Sequence, residues 1–182
     1  MIRTFEKLIL PLRSGTKEQL VFETTHLRKD GSIYPVETHL QLIQEKAPVF
    51  VAMVTDITER KKTEQQLIKL AQAVEQSPES IVITNLNAEI EYVNESFVQT
   101  SGYTKEEVIG KNPRILKSEL TPQAVYDDLW ATITQGYLWK GELINKNKLG
   151  VDYIEFAHIT PIRQEDGQFS HYLAIKEDIT EK

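Results

Sequence analysis

Alternating apolar and polar positions predict strands in the first third of the chain, over residues 21–28, 33–43 and 49–55. Lys29-Asp30-Gly31 between the first two predicts a tight hairpin, because Asp-Gly readily adopts the positive φ that such turns need. Pro35 removes a ladder donor, so we expect an edge position or a bulge there. A short helix over residues 1–12 is expected before these strands.

The hydrophobic period then changes from that of a strand to that of a helix. Apolar residues fall on one stripe of an otherwise charged segment, at Leu67, Leu70, Ala71 and Val74. Asp56 and Glu59 have the spacing of a capping box at its start, and Ser77-Pro78 ends it. The stripe fits a linker helix lying on its own domain and a dimerising coiled coil equally well.

The remaining residues predict a complete α+β domain. Asn94 fits an N-cap, Thr104 and Glu107 fit a capping box, and Thr121-Pro122 fits the start of a longer helix that Gly136 ends. Strands are predicted around these helices, over residues 80–84, 89–93, 137–146, 151–162 and 169–177. This order predicts a five-stranded antiparallel sheet with helices packed on one face.

Two parts of the chain repeat each other. Asp56-Ile57-Thr58-Glu59 returns as Asp178-Ile179-Thr180-Glu181, and Asp30-Gly31 with Tyr34 has a counterpart in Leu149-Gly150 with Tyr153. These spacings indicate a duplicated module, of which the first copy holds only the C-terminal half. We therefore predict a partial, three-stranded half-domain at 1–57, a linker helix at 58–77 and a complete domain at 78–182.

Composition narrows the classes of function. The net charge is −6 without a basic cluster, which argues against nucleic-acid binding. The chain has no cysteine, so disulfides, thiolate metal sites and cysteinyl adducts are excluded. The four histidines lack metal-ligand spacing. Because no apolar run reaches the length of a membrane span, we expect a cytoplasmic chain without direct membrane contact, although a parent protein attached to a membrane stays open.

The element order, the segment from Gly102 to Asn112 and the repeated Asp-Ile-Thr resemble the PAS family of sensory domains. The resemblance covers residues 75–182 as a whole domain and residues 5–60 as the second half of a preceding one. It implies that Asp-x-Thr joins the last strand to a helix that carries the signal onward. The candidate relay residues are Asp56, Thr58, Asp178 and Thr180. We expect a fragment of a longer signalling protein whose output domain is a histidine kinase or a diguanylate cyclase.

Within that family, Gly110-Lys111-Asn112-Pro113-Arg114 resembles the light-oxygen-voltage (LOV) motif. Pro113 stands where the resemblance implies the cysteine that bonds to flavin in light, so this photochemistry is excluded. The segment 121–130, Trp139-Lys140-Gly141 and Asn145 look more like the FAD-binding, redox-sensing PAS domain of nitrogen-fixation regulators. The resemblance therefore implies FAD as the candidate cofactor.

Alternation along residues 137–146 places Trp139, Leu143 and Asn145 on the less charged face, which should line a pocket. A flavin needs an apolar or aromatic wall and a few amide groups, which these three residues supply. A core tryptophan beside an asparagine at the strand end is the alternative. Asn112 and Arg114 are candidate ligand contacts on the helical side, with loop geometry and a solvated charge as the alternative.

Glu155 and Lys176 depart from the LOV pattern, in which their places imply an asparagine and a glutamine that contact flavin. An uncompensated buried charge is costly, so the two side chains should pair with each other, contact a ligand or extend to solvent at the rim, and we favour a pair across adjacent strands. Such a pair weakens the case for a LOV-type flavin pose.

Two hypotheses of different class follow for the whole chain. The first is a non-enzymatic sensory module that holds a ligand and shifts its flanking helices. The second is a ligand-free PAS domain that serves as a dimerisation and interaction platform. The half-domain adds an expectation of its own, because its strands lack the elements that would cover their inner face and edge. We expect them to be covered by a homodimer, formed through the linker helix or the partial sheet, or by packing of the partial sheet against the linker helix.

Overall fold

A computed structural model describes residues 2–44 and 46–181, with side chains described from residue 6 onward. Contacts divide the chain into two compact units, residues 1–69 and 70–182, whose boundary falls inside a helix. The elements up to and including that helix are α1 (Ile2–Arg13), β1 (Gln19–Leu27), β2 (Ile33–Ile43), β3 (Val49–Asp56) and α2 (Thr58–Glu75).

The second unit forms the predicted α+β domain. Its elements are β4 (Ser80–Asn85), β5 (Ile90–Val93), α3 (Glu95–Ser101), α4 (Lys105–Val108), a 3₁₀ helix (Pro113–Leu116), α5 (Gln123–Thr134), β6 (Trp139–Lys146), β7 (Asp152–Arg163) and β8 (Phe169–Asp178). The five strands form one antiparallel sheet in the order β5-β4-β8-β7-β6. This confirms the predicted fold class.

The first unit is the expected three-stranded antiparallel sheet, in the order β1-β2-β3. The prediction that Pro35 marks an edge or a bulge is wrong, because β2 is the central strand and Pro35 pairs with Thr25 in register. Pro35 is tolerated because it lies one residue beyond Val36, the last β2 residue paired with β3. The Pro35 carbonyl still contributes to the sheet, because it accepts a hydrogen bond from the N–H of Ile57 at 3.1 Å.

Helix α1 covers part of the inner face of this small sheet. Ile9 and Leu12 are buried against Leu40 of β2, and neighbouring apolar side chains complete the cluster: Leu20, Phe22, Leu42 and Phe50. The expectation that no element covers the inner face is therefore wrong for β2, whereas Ala52 and Val54 of β3, on the same face, stay exposed. The outer face keeps exposed apolar side chains.

Helix α2 has no buried residue, and its predicted apolar stripe, including Leu67 and Leu70, is exposed. The predicted capping box at its start is not formed. Asp56 instead accepts from the backbone N–H of Thr58 at 2.9 Å, one residue before the position a box requires, and Glu59 pairs with Lys62.

Helix ends in the second unit follow the predicted capping for the short helices. Asn94 caps α3, and Thr104 with Glu107 forms the capping box of α4. Thr121 does not cap α5, which begins at Gln123. Its hydroxyl donates to the Ile144 carbonyl and accepts from the Ile144 N–H, so it ties the helix entrance to β6.

Two apolar clusters lie between the large sheet and its helices. One joins β4 and β5 to α3 and α4 around the fully buried Phe97. The other joins α5 to β6, β7 and β8 around Ile133 and Trp139. A cavity remains between the two clusters.

Candidate functional site

The cavity has a volume of about 360 Å³ and lies between the inner face of the five-stranded sheet and the helical layer. Its wall is mostly apolar, with Val82 and Ala174 from the sheet and Phe97, Leu129 and Ile133 from the helices. Polar side chains enter it from several elements: Thr84, Asn112, Gln123, Tyr126 and Asn145. An apolar chamber with a few convergent polar groups is the usual form of a small-molecule site.

The structure brings five of the seven predicted binding residues to this cavity: Asn112, Arg114, Leu143, Asn145 and Lys176. They come from the 3₁₀ helix and its N-cap, from β6 and from β8. The inward face of β6 was predicted correctly, since its buried residues alternate with exposed Lys140 and Glu142. That these residues bind a ligand stays a prediction.

Trp139 lies in the α5 cluster rather than on the cavity wall. Its indole N–H donates to the Asp128 carboxylate at 2.8 Å, and its ring lies over Gly141. A Cβ at Gly141 would stand 2.5 Å from that ring, so any larger residue there would displace the indole. Trp139 is therefore a core tryptophan, which is the alternative that the sequence had raised.

The predicted pairing of Glu155 with Lys176 is confirmed. The Lys176 ammonium lies 3.1 Å from Glu155 Oε2, and both side chains are buried, with 7% and 2% exposed. Asn145 Nδ2 donates to the same carboxylate oxygen at 2.6 Å. Lys176 faces Ala157 and Glu155 faces Asp178 in the β7–β8 register, so the contact is diagonal. Glu155 does not line the cavity itself, but its carboxylate fixes the positions of Lys176 and Asn145, which do.

Tyr153 on β7 stands beside this network. Burial, and then the nearby Glu155 carboxylate, raise the pKa of its hydroxyl far above the usual range, so the phenol stays neutral. The hydroxyl is buried without a hydrogen-bond partner in the described part of the chain.

Asn112 and Arg114 are placed by local geometry. The Asn112 side-chain oxygen accepts from the Arg114 backbone N–H at 3.0 Å and caps the 3₁₀ helix. Arg114 is exposed at the cavity rim. Asn112 therefore has the loop-geometry role that was raised as the alternative. Both residues also lie at the cavity, as predicted.

Helix α5 supplies lining residues that sequence reasoning missed, chiefly Tyr126 and Trp130. The Tyr126 hydroxyl is buried and lacks a hydrogen-bond partner among residues 2–44 and 46–181. The Lys117 ammonium lies 4.6 Å from the centre of its ring and donates to Gln123 at 3.1 Å. The signal was available: Tyr126 and Trp130 are four residues apart, so they lie on one face of α5.

Charge on the described cavity wall has one sign. The ionisable groups with a full charge there are basic: Arg114, Lys117 and Lys176. Glu155 balances Lys176, which leaves two cations near the 3₁₀ helix. The wall therefore favours a ligand with an anionic part.

The predicted relay residues share one arrangement in the two copies. Asp178 accepts from the Thr180 N–H at 2.9 Å, as Asp56 does from Thr58. The Thr180 hydroxyl also accepts from the Ile154 N–H at 3.0 Å, and Ile179 N–H donates to the Ile154 carbonyl at 2.8 Å. Pro35 stands at the position of Ile154 in the first copy, so that copy lacks the donor.

Within the described residues, no cluster of three or more His, Asp or Glu side chains is placed to hold a metal ion. No described helix is long and apolar enough to cross a membrane.

Comparison with known proteins agrees with this architecture. The nitrogen fixation regulatory protein of Klebsiella pneumoniae is 37% identical over 107 residues, which cover 59% of this chain and 22% of that protein. The aerotaxis receptor of Escherichia coli is 33% identical over 99 residues, 54% of this chain and 19% of the receptor. The chain thus spans about a fifth of the length of these relatives.

Solved structures show the same fold. The PAS domain of a Colwellia psychrerythraea protein matches with a TM-score of 0.56 and 26% identity, covering 64% of this chain and 99% of that domain. An RNA-binding light-oxygen-voltage receptor matches with a TM-score of 0.58, over 99% of this chain and 83% of the receptor. At 14% identity, that second likeness shows the fold alone.

The sequence profile described as "PAS domain" matches residues 3–59 and 78–181, the two copies recognised from the repeat. Together these segments cover most of the chain, and the chain belongs to the PAS domain family of sensory modules.

Proposed function

We propose that the complete domain is a non-enzymatic sensor that holds the ring system of a flavin, as FAD, in its cavity. The observation that carries this proposal is the Tyr126 hydroxyl, which is buried on the cavity wall without a partner in the described chain. A buried unpaired hydroxyl is costly, and a polar ligand atom would relieve the cost.

The residues present fit a flavin. Trp130, Leu143 and Ile159 supply apolar and aromatic wall, while Asn145 and Gln123 supply amide groups. A volume of about 360 Å³ lies at the small end of ligand sites and suits a ring system rather than a whole dinucleotide. The phosphates would then lie toward the rim, where Arg114 and Lys117 carry positive charge.

When bound, a flavin supplies reversible two-electron redox chemistry, which suits a redox sensor. The chain's own contribution is to orient and enclose the ring. Lys176, held by Glu155, presents a cation at the wall, and the absence of cysteine leaves no thiol to react with the ring. The nitrogen fixation regulator among the relatives is consistent with this class of sensor.

The relay would run along β8. Lys176 lines the cavity, and Asp178 lies two residues further, where it holds Thr180. A ligand-dependent shift of Lys176 would reach the end of β8 and any helix that follows. We propose that such a helix connects to an output domain outside this chain, of the histidine kinase or diguanylate cyclase type.

Purification of the chain tests this function. We expect a yellow protein with flavin absorbance, and flavin released by denaturation. Tyr126→Phe and Asn145→Leu should weaken FAD binding at least tenfold by calorimetry, whereas Glu142→Gln on the outer face of β6 should not change it. Failure of the chain to bind FAD, FMN or riboflavin would overturn the flavin proposal.

The runner-up is a ligand-free interaction module, favoured by the exposed apolar residues of α2. Native mass spectrometry separates the two, because a colourless protein without any retained small molecule supports the second function.

A further inference from the structure

A buried lysine stands on the wall of the cavity. Three cations line that cavity, and Arg114 and Lys117 are exposed, whereas the Lys176 side chain is only 7% exposed. An ammonium has three N–H donors, and among the described residues the side-chain partner of Lys176 is Glu155. Burying an ammonium with donors to spare is costly, so the site favours an occupant that brings an acceptor or a negative charge.

The counter-ion of this lysine does not face the cavity. Glu155 on β7 is absent from the lining, whereas Lys176 on β8 and Asn145 on β6 belong to it. Asn145 donates to the same carboxylate oxygen that Lys176 contacts, so that oxygen is held by two groups of the wall. The ion pair is therefore an oriented dipole whose positive end meets the cavity.

No negative charge on the described wall offsets that positive end. The described lining residues include no aspartate or glutamate. Tyr153, beside the pair, stays neutral because burial, and then the Glu155 carboxylate, raise the pKa of its hydroxyl. Water screens a charge poorly in an enclosed, mostly apolar chamber. The enclosed part of the cavity therefore stabilises negative charge on its occupant.

We propose that Lys176 raises the reduction potential of the flavin in this cavity by stabilising the reduced ring as an anion. This inference rests on the proposed function, because it requires a bound flavin, and it adds the direction in which the wall shifts the redox balance. Arg114 and Lys117 at the rim suit the phosphates, so Lys176 is the cation that remains for the ring. A charge near the ring is a means by which proteins tune a flavin.

Electrons, protons and charge balance in this step. Reduction of the ring takes two electrons from an external donor and one or two protons from water, and each proton forms an N–H bond at a ring nitrogen. With two protons the reduced ring is neutral, whereas with one proton it keeps a negative charge. Lys176 gives up no proton and stays paired with Glu155. Its ammonium attracts the anionic reduced ring more strongly than the neutral oxidised ring, which favours reduction.

The reduction potential of FAD bound to the whole chain is the first measurement, by titration with dithionite beside a reference dye. We expect the equilibrium constant for reduction to be at least about tenfold higher for bound than for free FAD, which is about 30 mV for a two-electron couple. By linkage, the chain then binds reduced FAD about tenfold more tightly than oxidised FAD. Anaerobic calorimetry with each form checks that ratio.

Charge variants assign the effect to Lys176. Lys176→Gln leaves the Glu155 carboxylate without its cation and should lower the potential most. Joint replacement by Glu155→Val and Lys176→Val copies Val36 and Val54 of the first half-domain, leaves neither charge, and should lower the equilibrium constant about tenfold. Lys176→Arg keeps the charge and should stay within about threefold of the original protein. Lys140→Gln, at an exposed site on β6, is the matched control and should change nothing.

Failure of this inference is distinguishable from failure of the proposed function. A chain that binds no flavin overturns both. A chain that binds FAD at a potential equal to or below that of free FAD overturns this inference alone, and so does a double valine variant with an unchanged potential. Far-UV circular dichroism checks that each variant is folded, and the comparison of bound with free FAD decides the question without any variant.

Discussion

The two copies differ in the residues at two equivalent positions of their sheets. Glu155 and Lys176 form a buried ion pair in the complete domain, whereas the equivalent positions of the first copy hold Val36 and Val54. Val36 is fully buried, so an apolar residue satisfies the sheet at that place. The fold does not require the charges. We infer that the pair serves the cavity, where Lys176 and its neighbour Asn145 reach the wall.

Glu155→Gln should lower the free energy of unfolding by about 3 kcal/mol, because it leaves the Lys176 charge buried without its counter-ion. Urea unfolding followed by tryptophan fluorescence reports this, since Trp130 and Trp139 both lie in the complete domain. The double replacement by valine, copied from the first half-domain, should recover most of the loss.

Glu91→Gln is the matched control for that experiment. It removes the carboxylate of an exposed contact with His171 in the same domain and should change stability by less than about 0.5 kcal/mol. A loss below about 1 kcal/mol for Glu155→Gln would mean that water reaches Lys176 and that the pair is not enclosed.

Among the elements, the last turn of α2 is fixed to the complete domain by the side chains of Asn94 and Glu75. Asn94 accepts from Ile81 and Phe97 and donates to the carbonyls of Val74 and Glu79. The side chain therefore links the end of α2 and the start of β4 to α3, whose Phe97 lines the cavity. The Glu75 carboxylate adds contacts to Tyr92 and Lys105.

The Tyr92 contact predicts a pH dependence at the alkaline end. Burial, and then the Glu75 carboxylate, raise the pKa of Tyr92 to about 12. Its folded pKa lies above the unfolded value of about 10, so its contribution to stability is complete below pH 10 and is lost as the pH rises toward 12. We expect Tyr92→Phe to flatten this decline in urea unfolding. Tyr137→Phe, at an exposed site, should leave it unchanged, and equal curves for the two variants would refute the assignment.

The ends of the two sheets predict unequal effects of one substitution. Thr180→Val removes the acceptor of the Ile154 N–H and should cost about 1 kcal/mol. Thr58→Val should cost less, because Pro35 has no N–H to lose. Amide exchange measures this directly, with protection at Ile154 expected to fall at least tenfold. Unchanged exchange there would show that the hydroxyl does not hold β7 to the end of β8.

Local periodicity and capping residues were sufficient to predict the eight strands that the described residues form, the capping of α3 and α4, and the inward face of β6. The prediction that Pro35 marks an edge or a bulge was wrong because it depended on strand order, which no local sequence pattern encodes. Strand order decides whether the missing N–H of a proline would face a neighbouring strand. Thr121 was misjudged because its hydroxyl bonds to the distant Ile144 rather than to its own helix. Tyr126 was missed because its role depends on which helical ridge faces the cavity.

For the whole molecule, net charge predicts how the chain behaves toward nucleic acid. The fold matches that of an RNA-binding receptor, yet the chain carries a net charge of −6. Phosphate neutralisation requires grouped Lys and Arg, and the two rim cations Arg114 and Lys117 form a site for a small anion at most.

We therefore expect no retention of single-stranded or hairpin RNA in electrophoresis at physiological salt. The measurement should be repeated at low salt, where any electrostatic binding would be strongest. Retention that weakens steeply with added salt would contradict the expectation and would place a phosphate-binding surface on this protein.

The rings of Trp130 and Tyr172 meet edge to face across the cavity lining, with centroids 6.0 Å apart. One ring belongs to α5 and the other to β8, so an occupant that separates them changes the surroundings of a natural fluorophore. The fluorescence of Trp130 should therefore report whether the cavity is occupied. Emission lifetimes of Trp130, isolated in a Trp139→Phe background, would record filling and emptying of the chamber without any added label.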